Sequence, residues 1–81
     1  MTRPGICALA DLSVGNRALV IRISGSDDVT MRLLEMGLTP GVEVLMAGKA
    51  PLGDPLELVV RGYRLSIRKS EAARVETELC A

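Results

Sequence analysis

The chain has 81 residues and a mass of 8.6 kDa, with ten Lys and Arg balanced by ten Asp and Glu, and no His. That is enough for one domain and too little for two cores, since domains usually run to about 100–150 residues. Leu, Val and Ile make up 24 residues, about 30% of the chain and well above the ~20% below which composition signals disorder, so the chain folds. With one Tyr and no Phe or Trp, its core is aliphatic, and Met31, Met36 and Met46 are expected to act as adaptable fillers.

No apolar run approaches the ~18–20 residues of a membrane span. Residues 6–10, which Asp11 interrupts, fall short of the ~7–15 residue apolar region of a signal peptide. The sequence reads as a cytoplasmic single domain spanning residues 1–81, with residues 1–8 as a loosely ordered N-terminal segment. Cys7 and Cys80 lie near opposite ends, outside any C-x-x-C pair, and read as reduced thiols rather than a disulfide framework or a zinc set.

In chain order, residues 9–15 (LADLSVG) suggest a turn of helix ending at a glycine. Leu19, Ile21 and Ile23 then alternate with Val20 and Arg22 over residues 17–24, the period of a half-buried strand. Ser24, Ser26, Asp27 and Asp28 supply capping and acidic side chains for a helix start. Val29, Leu33 and Met36 follow at i, i+4 and i+7, and Gly37 stands where a left-handed residue ends a helix. Thr39, Pro40 and Gly41 make a turn, and Val42, Val44 and Met46 alternate as a second strand. After the loop 50–55 (APLGDP), Leu56, Leu58 and Val60 face one way, and beyond Gly62 the set Tyr63, Leu65 and Ile67 repeats the pattern. A two-residue turn at Arg61-Gly62 or Gly62-Tyr63 makes this a hairpin with one buried side. Residues 70–73 suggest one helical turn, and Val75, Thr77 and Leu79 a last strand. The expected fold is mainly β: a small antiparallel barrel, SH3-like or OB-like, of about five strands with one amphipathic helix inserted after the first.

Chemistry-bearing patterns are few. Without His, with no visible base beside either Cys, and with scattered carboxylates, the sequence does not read as an enzyme. Gly25 stands alone before the helix, without the Lys and further glycines of a phosphate loop. Asp27, Asp28, Glu35, Asp54 and Glu57 could donate oxygens to a hard cation, but acids at a helix start read first as caps. Residues 27–57 hold two basic and six acidic side chains, whereas residues 61–74 hold five basic and one acidic. Arg64 and Arg68 share one strand face, yet a barrel that binds single-stranded nucleic acid stacks bases on aromatics and only Tyr63 is present. They read as solvated arginines, so no nucleic acid is expected, and a small nucleic-acid-binding barrel stays only as a second alternative function. In the loop 50–55 two prolines fix the backbone around Leu52, which is more rigidity than a connection requires. It suits either a docking surface or a corner folded over the barrel end.

Taken together, RLLEMGLTPG (32–41), APLGDPLE (50–57) and GYRLSIRKSEAARVETE (62–78) resemble the FeoA family, the small cytosolic ferrous iron transport proteins of bacteria, over residues 9–79. The resemblance implies an SH3-like barrel, related to the C-terminal domain of DtxR-type metal-dependent repressors. It also implies a non-catalytic role beside FeoB, the membrane Fe(II) transporter with a cytosolic G-protein domain. No cofactor is expected to be required, with weak binding of Fe(II) or another divalent metal left open, as are a homo-oligomer and a stand-alone metal-sensing module; no membrane insertion is expected. The docking surface is expected to be a cleft between helix 29–36 and loop 51–55, drawing on Leu34, Met36, Leu38, Pro51, Leu52, Asp54, Pro55 and Tyr63. Gly37, Pro40, Gly41, Gly53 and Gly62 are assigned to turn geometry.

Overall fold

The computed structural model describes residues 5–80. Six strands form one antiparallel sheet: β1 (Ile6–Ala8), β2 (Arg17–Ile23), β3 (Glu43–Lys49), β4 (Leu56–Val60), β5 (Tyr63–Ile67) and β6 (Val75–Leu79). Their order across the sheet is β1-β6-β2-β3-β4-β5, so β1 and β5 are its two edges. A 3-10 turn (Leu9–Asp11) follows β1, helix α1 (Asp28–Glu35) joins β2 to β3, and one helical turn, α2 (Lys69–Ala72), joins β5 to β6.

The strands fall where period-two alternation marks them, and their inward residues make one core, but β2 presents the other face at its start: Ala18 and Val20 are buried while Leu19 is exposed, and only past the bulge do half-buried Ile21 and Ile23 flank an exposed Arg22. Ala18 and Val20, Val44 and Met46, Leu56, Leu58 and Val60, Ile67 and Val75 all join it, with Leu9, Leu12, Leu33 and Leu38 packed among them. The register shifts between Val20 and Arg22 in β2 and between Met46 and Gly48 in β3. Such bulges bend a strand and sharpen its twist, which lets the sheet wrap round its core. The β4–β5 hairpin turns at Arg61 and Gly62, with φ of 51° and 83°. Two consecutive positive φ values are the signature of a two-residue turn matched to strand twist, and the register sets Leu58 opposite Leu65.

Three further expectations change. The N-terminal segment is not loose throughout, because Ile6, Cys7 and Ala8 pair with Glu78, Thr77 and Glu76, and the buried Thr77 hydroxyl donates to the Cys7 carbonyl at 2.9 Å. This adds a sixth strand; residues 1–4 lie outside the described residues. Of the three methionines assigned to the core only Met46 is fully buried, whereas Met31 is exposed and Met36 half-buried.

Helix α1 is capped at both ends. The Thr30 N–H donates to Asp27 Oδ1 at 3.2 Å, and Arg74 Nη1 donates to the same oxygen at 2.6 Å. At the other end the Leu38 N–H reaches the Leu33 carbonyl and the Gly37 N–H the Leu34 carbonyl. Gly37, at φ 105°, is the left-handed residue that this double closure needs.

Removing Leu33, which is 0% exposed, tests the core. Leu33→Ala is expected to cost about 2–5 kcal/mol, comparable with the ~3–5 kcal/mol a core this small supplies, so urea titration should find the variant largely unfolded without denaturant. The cap makes a second prediction. The hydrogen bond from Arg74, followed by that from the Thr30 N–H, holds the Asp27 carboxyl below the ordinary carboxylate range. A depressed folded pKa adds stability above the unfolded value, and that contribution is lost as pH falls through the folded one. Urea titrations from about neutral pH down to about pH 2 should show this acid-side loss in the wild type and a flatter profile in Asp27→Asn.

Candidate functional site

A groove of about 670 Å³ lies between α1 and the β5–α2 segment. Val29, Arg32 and Met36, one face of α1, form one wall; Ser66, Ile67, Arg68, Ser70 and Glu71 form the other, and Pro55 stands at its end. The spacing 29, 32, 36 follows from the helical period, and the capped ends of α1 hold that face in place.

The walls are joined by Glu71, which is 8% exposed. Its Oε1 accepts the Arg68 N–H at 2.9 Å, and its Oε2 pairs with the Arg32 guanidinium. A carboxylate this buried needs such partners, because burying an unpaired charge costs several kcal/mol.

Loop 51–55 is tied down from within and from outside. The Gly53 N–H donates to the Ala50 carbonyl at 2.7 Å, the Ala50 N–H to the Pro55 carbonyl at 3.0 Å, and the Lys69 N–H to Asp54 Oδ1 at 3.0 Å. The Asp54-Pro55 peptide is cis. At the tip Leu52 is 94% exposed, so it projects into solvent instead of folding over the barrel end.

The residues assigned to docking therefore separate. Met36 and Pro55 line the groove, and Pro51 and Leu52 form an exposed tip beyond it. Leu34 is half-buried and outside the groove lining. Leu38 is 0% exposed and belongs to the core, because the closure at Gly37 turns it back inside. Asp54 is engaged with Lys69. Tyr63 is exposed at the far end of the hairpin from Pro55, about 16 Å along the strand at ~3.3 Å per residue. The second wall, Ser66 to Glu71, was not among the residues assigned from sequence.

The acidic side chains weighed as metal ligands do not converge. Asp27 serves the α1 cap, Asp54 the start of α2, and Glu57 pairs with Arg64 at 3.2 Å. No group of three His, Cys, Asp or Glu able to hold a metal ion occurs among the described residues. Cys80 Sγ lies 3.8 Å from Glu43 Oε1; desolvation, then that carboxylate, push its thiol pKa up, away from the thiolate a metal would take. Among the described residues no helix is long and apolar enough to cross a membrane.

A family model described as the FeoA domain matches residues 7–79. The chain belongs to the FeoA domain family. It is 35% identical over 71 residues, 88% of its length, to an Fe(2+) transport protein A/Fe(2+) transporter FeoB fusion protein of Porphyromonas gingivalis (strain ATCC BAA-308 / W83), and spans 8% of that relative. The solution structure of a FeoA-like protein from Clostridium acetobutylicum superimposes with a TM-score of 0.88 at 37% identity, covering 100% of this chain and 92% of that one. A zinc complex of FeoA from Stenotrophomonas maltophilia, described as a prokaryotic SH3 domain protein, superimposes with a TM-score of 0.76 at 35% identity, covering 86% and 87%. The fold is thus the SH3-like barrel of FeoA. IdeR of T. acidophilum, at 20% identity and a TM-score of 0.83 over 99% of this chain and 37% of that one, shares the fold alone.

Glu71 supplies the prediction. Glu71→Ala should lose about 1–3 kcal/mol in urea titration, since it strips a charge-assisted bond from the Arg68 N–H and a partner from Arg32. Glu71→Gln, which keeps an acceptor for that N–H, should lose less.

Proposed function

We propose that this protein is a non-catalytic, cytoplasmic accessory protein of bacterial ferrous iron uptake that docks on the FeoB transporter and modulates its assembly or G-protein-linked activity. The observation that carries the reading is the P. gingivalis relative, in which an FeoA segment and the transporter FeoB are named as one fusion protein. Covalent joining of two parts is natural where they work side by side.

The surface supports the same reading. The groove offers Val29, Met36 and Pro55 as apolar contacts between the charged Arg32, Arg68 and Glu71, an apolar centre with a polar rim of the kind that protein partners fill. Leu52 extends the apolar surface on a braced loop, where an exposed large side chain has no use in the fold itself. The groove is aliphatic, so a proline-rich ligand held on an aromatic-lined trough is not the mode expected here.

Co-purification of the chain with full-length FeoB in detergent tests the proposal. The wild type should be retained, and Leu52→Asp and Met36→Glu should each lower retention about tenfold or more, as loss of a contact worth over ~1 kcal/mol does. Circular dichroism of Leu52→Asp should match the wild type. Failure of the wild type to bind, both without nucleotide and with a GTP analogue, would overturn the docking.

A further inference from the structure

The groove runs beside a sheet edge that has no strand next to it. β5 pairs with β4 alone. With a two-residue turn at Arg61 and Gly62, the pairs that exchange both hydrogen bonds are Val60 with Tyr63, Leu58 with Leu65 and Leu56 with Ile67. The alternate residues, Arg64 and Ser66, therefore direct their N–H and C=O away from β4. Neither backbone bonds to another element among the described residues, and Ser66 lines the groove. Two N–H donors and two C=O acceptors thus line the open side of the strand, the pattern a further strand takes up.

We propose that the β5 edge is a strand-addition site for an extended partner segment that alternates acidic and apolar residues; as the landing point on FeoB, this rests on the docking reading above. The charge comes from Arg61, Arg64, Arg68 and Lys69, all exposed on β5 and its flanks. Arg64 shares its charge with Glu57, while Arg61, Arg68 and Lys69 have no ion-pair partner among the described residues. A second copy of this chain is the wrong occupant, because pairing two β5 edges would set these cations against one another. The β1 edge, Ile6–Ala8, is three residues long and offers no charge to select a partner.

The alternation follows from strand geometry. Residues of an added strand that lie beside Arg64 and Ser66 share their solvent-facing side, where acids meet the arginines. Those beside Leu65 and Ile67 share the inner side, which continues into the groove wall of Val29 and Met36.

Amide hydrogen exchange followed by NMR tests the inference, with two probes: a short synthetic peptide of alternating Glu and Val, and the cytosolic region of FeoB. The peptide should slow exchange at the Arg64 and Ser66 amides about tenfold or more, and the effect should fade as salt rises. Ser66→Pro removes an outward N–H and no bond to β4, a position where edge strands tolerate proline, and should abolish the slowing. Arg64→Glu combined with Arg68→Glu should weaken peptide binding about tenfold. No slowing at either amide in the wild type would overturn the inference. If the FeoB region binds without slowing them, the edge is not its landing point and the docking reading stands. If the peptide slows them and the FeoB region does not bind, the docking reading fails and the edge stands.

Discussion

The two walls of the groove are held together by a buried carboxylate that has to be satisfied. Glu71 sits inside the junction of α1 and α2, where an unpaired anion would be untenable. It is satisfied by the Arg68 N–H on one side and the Arg32 guanidinium on the other. The next N–H along, that of Lys69, is taken by Asp54 from loop 51–55. Two acids from different parts of the chain thus hold consecutive backbone donors of one short turn, registering the helix, the loop and the end of β5 against each other.

The same economy governs charge elsewhere. Asp27 goes to Arg74, Glu57 to Arg64 and Glu76 to Arg22. The imbalance visible along the sequence, acid first and base later, is partly neutralised when the fold brings the two stretches together. Along β5 and its flanks, Arg61, Arg68 and Lys69 keep no ion-pair partner among the described residues, so that stretch stays basic.

Much of the fold could be read from local rules because each rule acts over a few residues. Alternation marks β2 to β6, and the closure at Gly37 follows from a helix meeting a glycine. β1 escaped because Ile6, Cys7 and Ala8 carry no alternation, and their pairing with residues near position 78 is visible only once strand order is known. The site was less legible. Leu38 stands among the residues expected at the cleft, although the rule for a helix stop, by which the residue after such a glycine packs back on the preceding turn, is legible in the same residues, and that rule decides its place. Tyr63 and Pro55 are close in sequence, but a hairpin separates the ends of its own strands. The wall from Ser66 to Glu71 left little local trace, since the turn at 69–72 begins after an arginine instead of a capping Ser or Thr, and nothing local announces that β5 is an edge.

β1 and β6, the first and last strands among the described residues, are hydrogen-bonded neighbours and are absent from the lining of the groove described above. A covalent tether attached through either therefore leaves the groove and the β5 edge open. Joining two parts in this way raises their effective concentration to about the millimolar range. At that concentration a contact no larger than one strand and a narrow apolar seam would bind appreciably, and a partner tethered in this way would release it without being lost.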